Sequence, residues 1–445
     1  MMHHVIIGNG IAGITAARTI RKRSNDKITV ISGETDHFYS RTALMYIYMG
    51  HMRYQDTKPY EDWFWEKNNI ELKRAWVNAI QSEKKQIVFE DGSTMQYDTL
   101  LIATGSKSNM FSWPGNNLQG VQSLYSMQDL DLLEQNTKHG INRAVIIGGG
   151  LIGIELAEML HARKFPVTML VRESNYWDNV LPQQEATLIS NHIRAHGIDL
   201  RLGAELKEII GDENGRVKTV ITKNNESIAC QVVGITVGVS PNISMLKDSE
   251  IKTDRGVVIN SNFQTNISDV FAAGDCAQFQ EALTDRKPIE QLWYTGKIQG
   301  ETAALNMLGF KTEYTPGYWY NSAKFMDIEY QTYGTVLPQL REGESEFYWE
   351  HPKGKKCLHF IYNTSDRKFI GINNFGIRLR HELFNLWLKE SRSIDYVLEH
   401  LKPANFDPEL YRTYEKQIIK KWNSENPNYK IELRSKNSLN KIIFG

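Results

Sequence analysis

Cysteine is scarce: the chain has three in 445 residues, Cys230, Cys276 and Cys357. Three cannot make the even-numbered framework that staples a small secreted domain, and these lie too far apart for a paired-thiol motif. An excess of either charge is also absent. The 52 basic residues balance 52 acidic ones, which excludes a chain drawn as a whole to nucleic acid or to an anionic membrane. No apolar run reaches the roughly 18 residues of a spanning helix. The first strand starts at residue 5, read as leaving no room for a leader, so a reducing, cytoplasmic location is expected. No group of side chains reads as a metal site. What is present is an ordinary globular composition, long enough for two to four domains.

The chain is organised around Val5-Ile6-Ile7-Gly8-Asn9-Gly10-Ile11-Ala12-Gly13. Three β-formers run directly into G-x-G-x-x-G, and Ile14 to Arg18 continues as a helix. In that context Gly8 permits the tight turn, Gly10 lets backbone approach a pyrophosphate, and Gly13 lets the helix pack on the strand. The helix N-terminus offers free N–H groups to the phosphates. Glu34, after the next strand (Ile28–Ile31), stands where a ribose-binding carboxylate belongs. A glycine-rich turn alone carries little weight; strand, helix and carboxylate together make it specific. The pattern then repeats: Gly8 and Gly148, Gly10 and Gly150, Gly13 and Gly153 are each separated by 140 residues. Two such turns imply two dinucleotides, and hydride transfer between a nicotinamide and a second redox cofactor is the natural reason to hold both.

Between and beyond the turns, Gln86–Phe89 and a following short strand read as a hairpin around Glu90-Asp91-Gly92-Ser93. Tyr97 to Gly105 reads as a buried parallel strand ending in the small residues Ala103-Thr104-Gly105. The aromatics Tyr60, Trp63, Phe64, Trp65 and Trp76 read as core more than as cofactor wall. Pro114-Gly115 marks a crossing into a second domain. Val167–Val171 is the second strand there, followed by Arg172 and Glu173, and Val232 to Gly238 is another strand run. Asp269 to Asp275 ends a further buried strand, and Gln291–Leu308 reads as a helix with small packing residues.

In order and spacing, the two glycine turns, Ala103-Thr104-Gly105, Glu155 and Ala273-Gly274-Asp275 resemble the two-dinucleotide-binding flavoproteins of the pyridine-nucleotide-disulfide oxidoreductase superfamily. Tyr39-Ser40-Arg41 with Leu44 is most similar to the ferredoxin and rubredoxin reductases and to the flavin portion of nitrite reductases. The resemblance implies an α/β fold with two Rossmann-like domains: FAD on residues 1–115 and 250–315, NAD(P) on 116–249, an α/β interface domain at 316–376 and a helical extension at 377–445. It implies FAD contacts from Gly8, Gly10, Ile11, Ala12, Gly13, Glu34, Arg41, Thr42, Val77, Ala103, Thr104, Gly105 and Asp275. For the nicotinamide cofactor it implies Gly148, Gly150, Leu151, Ile152, Gly153, Arg172, Glu173 and Gly238. Arg172 stands where related enzymes hold a 2′-phosphate, so NADPH is expected in preference to NADH; Glu173 could instead take a ribose diol.

Two departures from the pattern matter. Disulfide reductases carry cysteine just after the second strand, where this chain has Ser40, Thr42 and Ala43. The ferredoxin reductase pattern places a lysine beside the flavin, facing Glu155; here that position is Tyr46, which makes Glu155 and Tyr46 the candidate catalytic residues. The three cysteines read as buried and inert. The expected activity is transfer of hydride from NAD(P)H to FAD, and of electrons onward to an external acceptor such as a ferredoxin or rubredoxin. A quinone reductase at a membrane surface, a flavoprotein sensor or assembly partner, and a homodimer all stay open. Past Gly376, Leu379, Leu383 and Trp387, then Ile394, Val397, Leu398 and Leu401, recur at helical spacing. Asp407-Pro408 reads as the start of a further helix with Tyr411, Tyr414 and Ile418 on its buried face. The basic tail from Lys416 (Lys420, Lys421, Lys430, Arg434, Lys436, Lys441), ending in Ile442-Ile443-Phe444, reads as a solvated end.

Overall fold

The computed structural model describes residues 1–283, 286–406 and 412–434. By contact the chain divides into two units: Met1–Gly148, Met159–Val167 and Leu206–Pro316 form one; Gly149–Glu158, Thr168–Glu205 and the chain from Gly317 form the other.

The first unit is built on a parallel sheet. Strand His3–Ile7 lies between Lys27–Ser32 and Thr99–Ile102, with Ile70–Arg74 and Val270–Ala272 at the edges. These strands read as continuous Val/Ile/Leu runs because both faces are covered; Val5, Ile6, Leu100 and Leu101 are wholly buried. The helices Ile11–Arg23 and Trp293–Met307 pack together closely. A Cβ on Gly300 would stand 2.2 Å from Ala12 O, so the small residues of the second helix set the approach of the first. The anticipated hairpin is present as Gln86–Phe89 and Thr94–Gln96, antiparallel and joined by Val77–Gln81. Among the aromatics, Trp65 is buried and Tyr60 and Phe64 pack on the core, whereas Trp63 and Trp76 are exposed. Ala144–Ile147 pairs in parallel with Val232–Ile235, which pairs with Val121–Gln122.

In the second unit Val167–Val171 pairs in parallel with Asp199–Leu202. A five-stranded antiparallel sheet follows, in the order Tyr320–Phe325, Ile328–Gly334, Phe369–Phe375, Cys357–Asn363, Glu344–Glu350. Helices His381–Lys389, Ile394–Glu399, Leu401–Ala404 and Glu415–Glu425 contribute Phe384, Trp387, Leu398 and Trp422 to a core shared with the sheet residues Phe347 and Phe360. The expected helix start at Asp407-Pro408, with Tyr411, lies outside the described residues. Residues 412–414 are not helical, and the helix begins at Glu415. The tail is not simply solvated: Ile431 joins the core, and Asn423 exchanges hydrogen bonds with its backbone. Lys436, Lys441 and Ile442-Ile443-Phe444 lie outside the described residues. No described helix is long and apolar enough to cross a membrane.

Candidate active site

The first glycine turn separates two demands. Gly8 has φ +114°, and a Cβ there would stand 2.1 Å from Ala103 O; one on Gly13 would stand 2.0 Å from Gly8 O. The fold itself requires both. A Cβ on Gly10 would meet nothing within 4 Å, so no protein group requires that glycine, and the space beside it is open to a ligand. Gly10 is also the N-cap of Ile11–Arg23; no side chain caps the helix, and its first turn holds no acidic residue. Its N–H groups and dipole are thus available to an anion. Ile11 and Ala12 open this helix. Ala103-Thr104-Gly105 runs beside the turn, Ala103 N donating to Ile7 O (2.8 Å) and Thr104 Oγ1 to Asn242 O (2.6 Å).

A polar cluster in the same unit joins most of the remaining expected cofactor residues. Arg41 grips Glu34 with two N–H groups (2.9 and 2.5 Å) and donates to Tyr125 O at 2.6 Å. Tyr39 Oη donates to Glu34 at 2.5 Å, and Met127 N donates to it at 3.0 Å. Burial alone would raise the Glu34 carboxyl; the Arg41 guanidinium, with the hydrogen bonds from Tyr39 and Met127, outweighs it and holds the group low. Burial pushes Asp275 up, against Ser106, which donates to it at 3.0 Å, and the nearby charge of Arg41. Gln291 donates to Ser106 Oγ at 2.9 Å, and Tyr125 Oη accepts from Ser106 N at 3.0 Å. Sequence reading missed Ser106, Tyr125 and Gln291, which stand in no motif; only their convergence on Asp275 reveals them. It also took Glu34 and Arg41 separately, whereas the structure makes them one ion pair. Thr42 and Tyr46 line a pocket of about 370 Å³ with Ser40, Ala43, Thr57 and Lys58. Val77 is half-buried against the main core.

The second turn repeats the same division. A Cβ on Gly148 (φ +119°) would stand 2.4 Å from Thr236 O; one on Gly150 would meet nothing within 4 Å. Leu151, Ile152 and Gly153 open the helix Leu151–Ala162, and the Tyr176 hydroxyl donates to Gly150 O. Gly238 has φ +89° in an exposed turn where its carbonyl accepts from Asn109 N. Glu155, half-buried on the helix, is raised to about 7 by burial and then by Glu158; Lys324 opposes this only in part. The Lys324 ammonium is committed to Glu158 at 2.6 Å. Arg172 is 74% exposed, and its Nε donates to Glu173 at 2.6 Å. Tyr46 and Glu155, read together from the sequence, fall in different units.

All three cysteines are buried, and burial pushes each thiol up, Cys230 to about 12. A thiolate at neutral pH is thereby disfavoured at all three positions.

The open spaces at Gly10 and Gly150, each at a helix start, fit dinucleotide pyrophosphates. Residues 2–300 match the family described as pyridine nucleotide-disulphide oxidoreductase. The chain is 31% identical over 312 residues to the ferredoxin–NAD(+) reductase subunit of the benzene 1,2-dioxygenase system of Pseudomonas putida, a match covering 69% of this chain and 75% of that one. It is 30% identical over 278 residues to the nitrite reductase [NAD(P)H] of Bacillus subtilis (strain 168), covering 62% of this chain and only 34% of that protein. Its fold is similar to the crystal structure of the ferredoxin reductase for the CYP199A2 system from Rhodopseudomonas palustris, with a TM-score of 0.79 at 21% identity, over 94% of this chain and all of that one. The chain belongs to the pyridine nucleotide-disulphide oxidoreductase family, flavoprotein oxidoreductases that bind FAD and NAD(P)H.

Proposed function

We propose that this protein takes hydride from NAD(P)H and delivers electrons singly to a small ferredoxin- or rubredoxin-type carrier, without a thiol relay. The observation that carries this reading is the state of the cysteines: all three are buried and pushed up, and none lies in the Tyr39–Leu44 segment. FAD supplies the coupling of a two-electron donor to a one-electron acceptor. For the protein's part, Gly10 and the following helix start hold the pyrophosphate of FAD. Glu34, fixed by Arg41 and Tyr39, and Asp275, fixed by Ser106, are the polar groups that orient it. Gly150 and the second helix start hold NAD(P)H, and Glu155, raised to about 7 by burial, supports a proton-exchanging role near neutral pH. Residues 1–115 with 250–315 serve FAD and 116–249 serve NAD(P)H. The name of the ferredoxin–NAD(+) reductase relative agrees with electron delivery to a carrier.

Carrier encounters of this kind are small and steered by charge. With a net charge of zero, steering needs a local patch, and Lys416, Lys420 and Lys430 supply exposed cations on the extension. Truncation before Ile431 would remove core, so charge reversal is the cleaner probe. Purified protein should reduce a ferredoxin or rubredoxin with NAD(P)H, more slowly as ionic strength rises. Replacing Lys416, Lys420 and Lys430 by Glu should flatten that salt dependence and leave dye reduction unchanged. Turnover with quinones but with no carrier would overturn the reading.

A further inference from the structure

We propose that His192, His196 and Asp327 form a binding site for a divalent transition-metal ion of the zinc class. His192 lies on the helix Gln183–Ala195, and His196 is its C-cap residue, one turn further on. Asp327 sits in the two-residue turn between strands Tyr320–Phe325 and Ile328–Gly334, where Phe325 pairs with Ile328. The left-handed Met326 (φ +56°) tightens that turn. One carboxylate oxygen, Asp327 Oδ1, is 2.6 Å from His192 Nε2 and 3.2 Å from His196 Nε2. The three ligand atoms lie within 4.8 Å of one another.

The protonation of the rings argues for a cation between them. His196 Nδ1 is 3.0 Å from the His192 carbonyl oxygen, which can only accept. Nδ1 therefore carries a proton, and in the neutral tautomer Nε2 would turn its lone pair toward a carboxylate oxygen. A backbone carbonyl holding the second ring nitrogen in this way is the usual support of a metal-bound histidine. His192 Nε2 is buried and, despite its proximity to Asp327, makes no aligned hydrogen bond among the described residues. With both Nε2 atoms unprotonated, their lone pairs would meet one anionic oxygen, an arrangement that needs a positive centre. A proton can serve one ring, whereas a metal ion serves all three ligands. Lys355 Nζ holds the other carboxylate oxygen, Oδ2, at 3.1 Å, fixing Oδ1 toward the imidazoles; its charge opposes a dication but is largely solvated. Asp327 is 56% exposed, which gives an ion a path from solvent. Two imidazoles and a carboxylate suit Zn²⁺ and its neighbours, with a fourth position left to water. The ion would clasp the helix to the hairpin turn. Sequence reading had no access to this site, because a hairpin turn and a helix far apart in the chain supply it.

The test uses the full chain with its flavin, stripped with chelator, desalted and titrated calorimetrically with Zn²⁺ alone. One ion per chain is expected, together with a rise in melting temperature. His196→Ala and Asp327→Asn, both at part-exposed positions, should keep the flavin absorbance per chain, lose the thermal shift and bind more weakly. The loss should be at least the about 10–100-fold that removal of an outer-sphere partner brings. Absence of stoichiometric binding in the parent protein, or affinity unchanged in both variants, would overturn the proposal and leave a proton as what holds the three groups.

Discussion

The two glycine turns obey one rule in their backbones and differ in their surroundings. In each, the outer glycine is demanded by the protein's own carbonyls, Ala103 O for Gly8 and Thr236 O for Gly148, while a Cβ on the middle glycine would meet nothing within 4 Å among the described residues. Around the first turn, the neighbouring polar groups are already engaged: Glu34 by Arg41, Tyr39 and Met127, and Asp275 by Ser106. Around the second, Glu155 is offset only in part by the Lys324 ammonium, which is bonded to Glu158, and Arg172 reaches into solvent, bonded to Glu173. A preset, interlocked cradle suits a group that stays, because its ordering cost is met when the chain folds. A looser one suits a cosubstrate that must leave each cycle.

Placing the same bulk on the two middle glycines should break this parallel most sharply. Gly10→Val and Gly150→Val each add a side chain whose Cβ meets no protein atom within 4 Å, so both variants should fold. Gly10→Val should purify colourless and resist reconstitution with FAD. Gly150→Val should remain yellow, while its KM for NAD(P)H rises by about a hundredfold or more, the order of a lost charge-assisted phosphate contact together with steric exclusion. Absorbance at the flavin maximum and stopped-flow reduction read the two outcomes. Loss of flavin from both variants would show that the turns do not divide the cofactors.

Much of this architecture is legible in the sequence, because parallel strands buried on both faces are written as apolar runs and the glycine turns as fixed spacings. Val167–Val171 and the Gln86–Phe89 hairpin are recoverable from residue type alone. The polar cluster is legible only in part. Glu34, Arg41 and Asp275 are carried by motifs, but Ser106 and Tyr125 become neighbours of Asp275, and Gln291 of Ser106, only through tertiary packing. The tail shows the same limit from the other side. Its lysines read as a solvated face, yet beside the expected Ile418, Trp422 and Ile431 among them are core, since a short amphipathic segment does not reveal what it packs against. Lys324 is a third case, because its proximity to Glu155 and Glu158 depends on the fold alone.

The second turn can be tested by removing its partly compensated charge. Glu155 titrates at about 7 when folded, against an ordinary value of 4.5. Below pH 4.5 both states are protonated and the group has no effect. Between 4.5 and 7 the folded protein holds a proton that the unfolded chain has released, so stability falls as pH rises, and above 7 the loss is complete. Glu155→Gln should therefore match the parent protein at pH 4.5 and exceed it by about 1–2 kcal/mol at pH 8, a value reduced for solvent access to a half-buried group. Thermal melts across this range give the difference directly; equal melts at pH 8 would mean that Glu155 has a cation partner.

A smaller effect is expected at the rim of the same turn. Arg172 can lend a charged donor to a 2′-phosphate, but its exposure and its bond to Glu173 weaken that contact. Arg172→Ala should raise the KM for NADPH by about fivefold to tenfold, within the worth of one exposed charged hydrogen bond, and leave that for NADH nearly unchanged. Equal changes for both would assign the site to a ribose diol held by Glu173.

The smallest effect should come from the cysteines, where the two turns ought not to differ at all. Cys276 lies one residue beyond Asp275, with its Sγ donating to Ile102 O at 3.3 Å; Cys230 and Cys357 are buried in the first and second units. A thiol relay needs a thiolate that is accessible and of low pKa, and burial works against both conditions at all three positions. Replacing the three by Ala removes a small buried sulfur at each site, which lowers stability modestly without touching the polar cluster or either middle glycine. Flavin reduction by NAD(P)H, and onward reduction of the carrier, should therefore stay within about threefold of the parent rates, less than the tenfold that 1.36 kcal/mol of barrier represents. The melting temperature, measured alongside, distinguishes slow chemistry from partial unfolding. If the folded triple variant accepted hydride normally but failed to pass electrons on, a thiol would have to stand between the flavin and the acceptor, and the carrier reading would give way to a disulfide-type one.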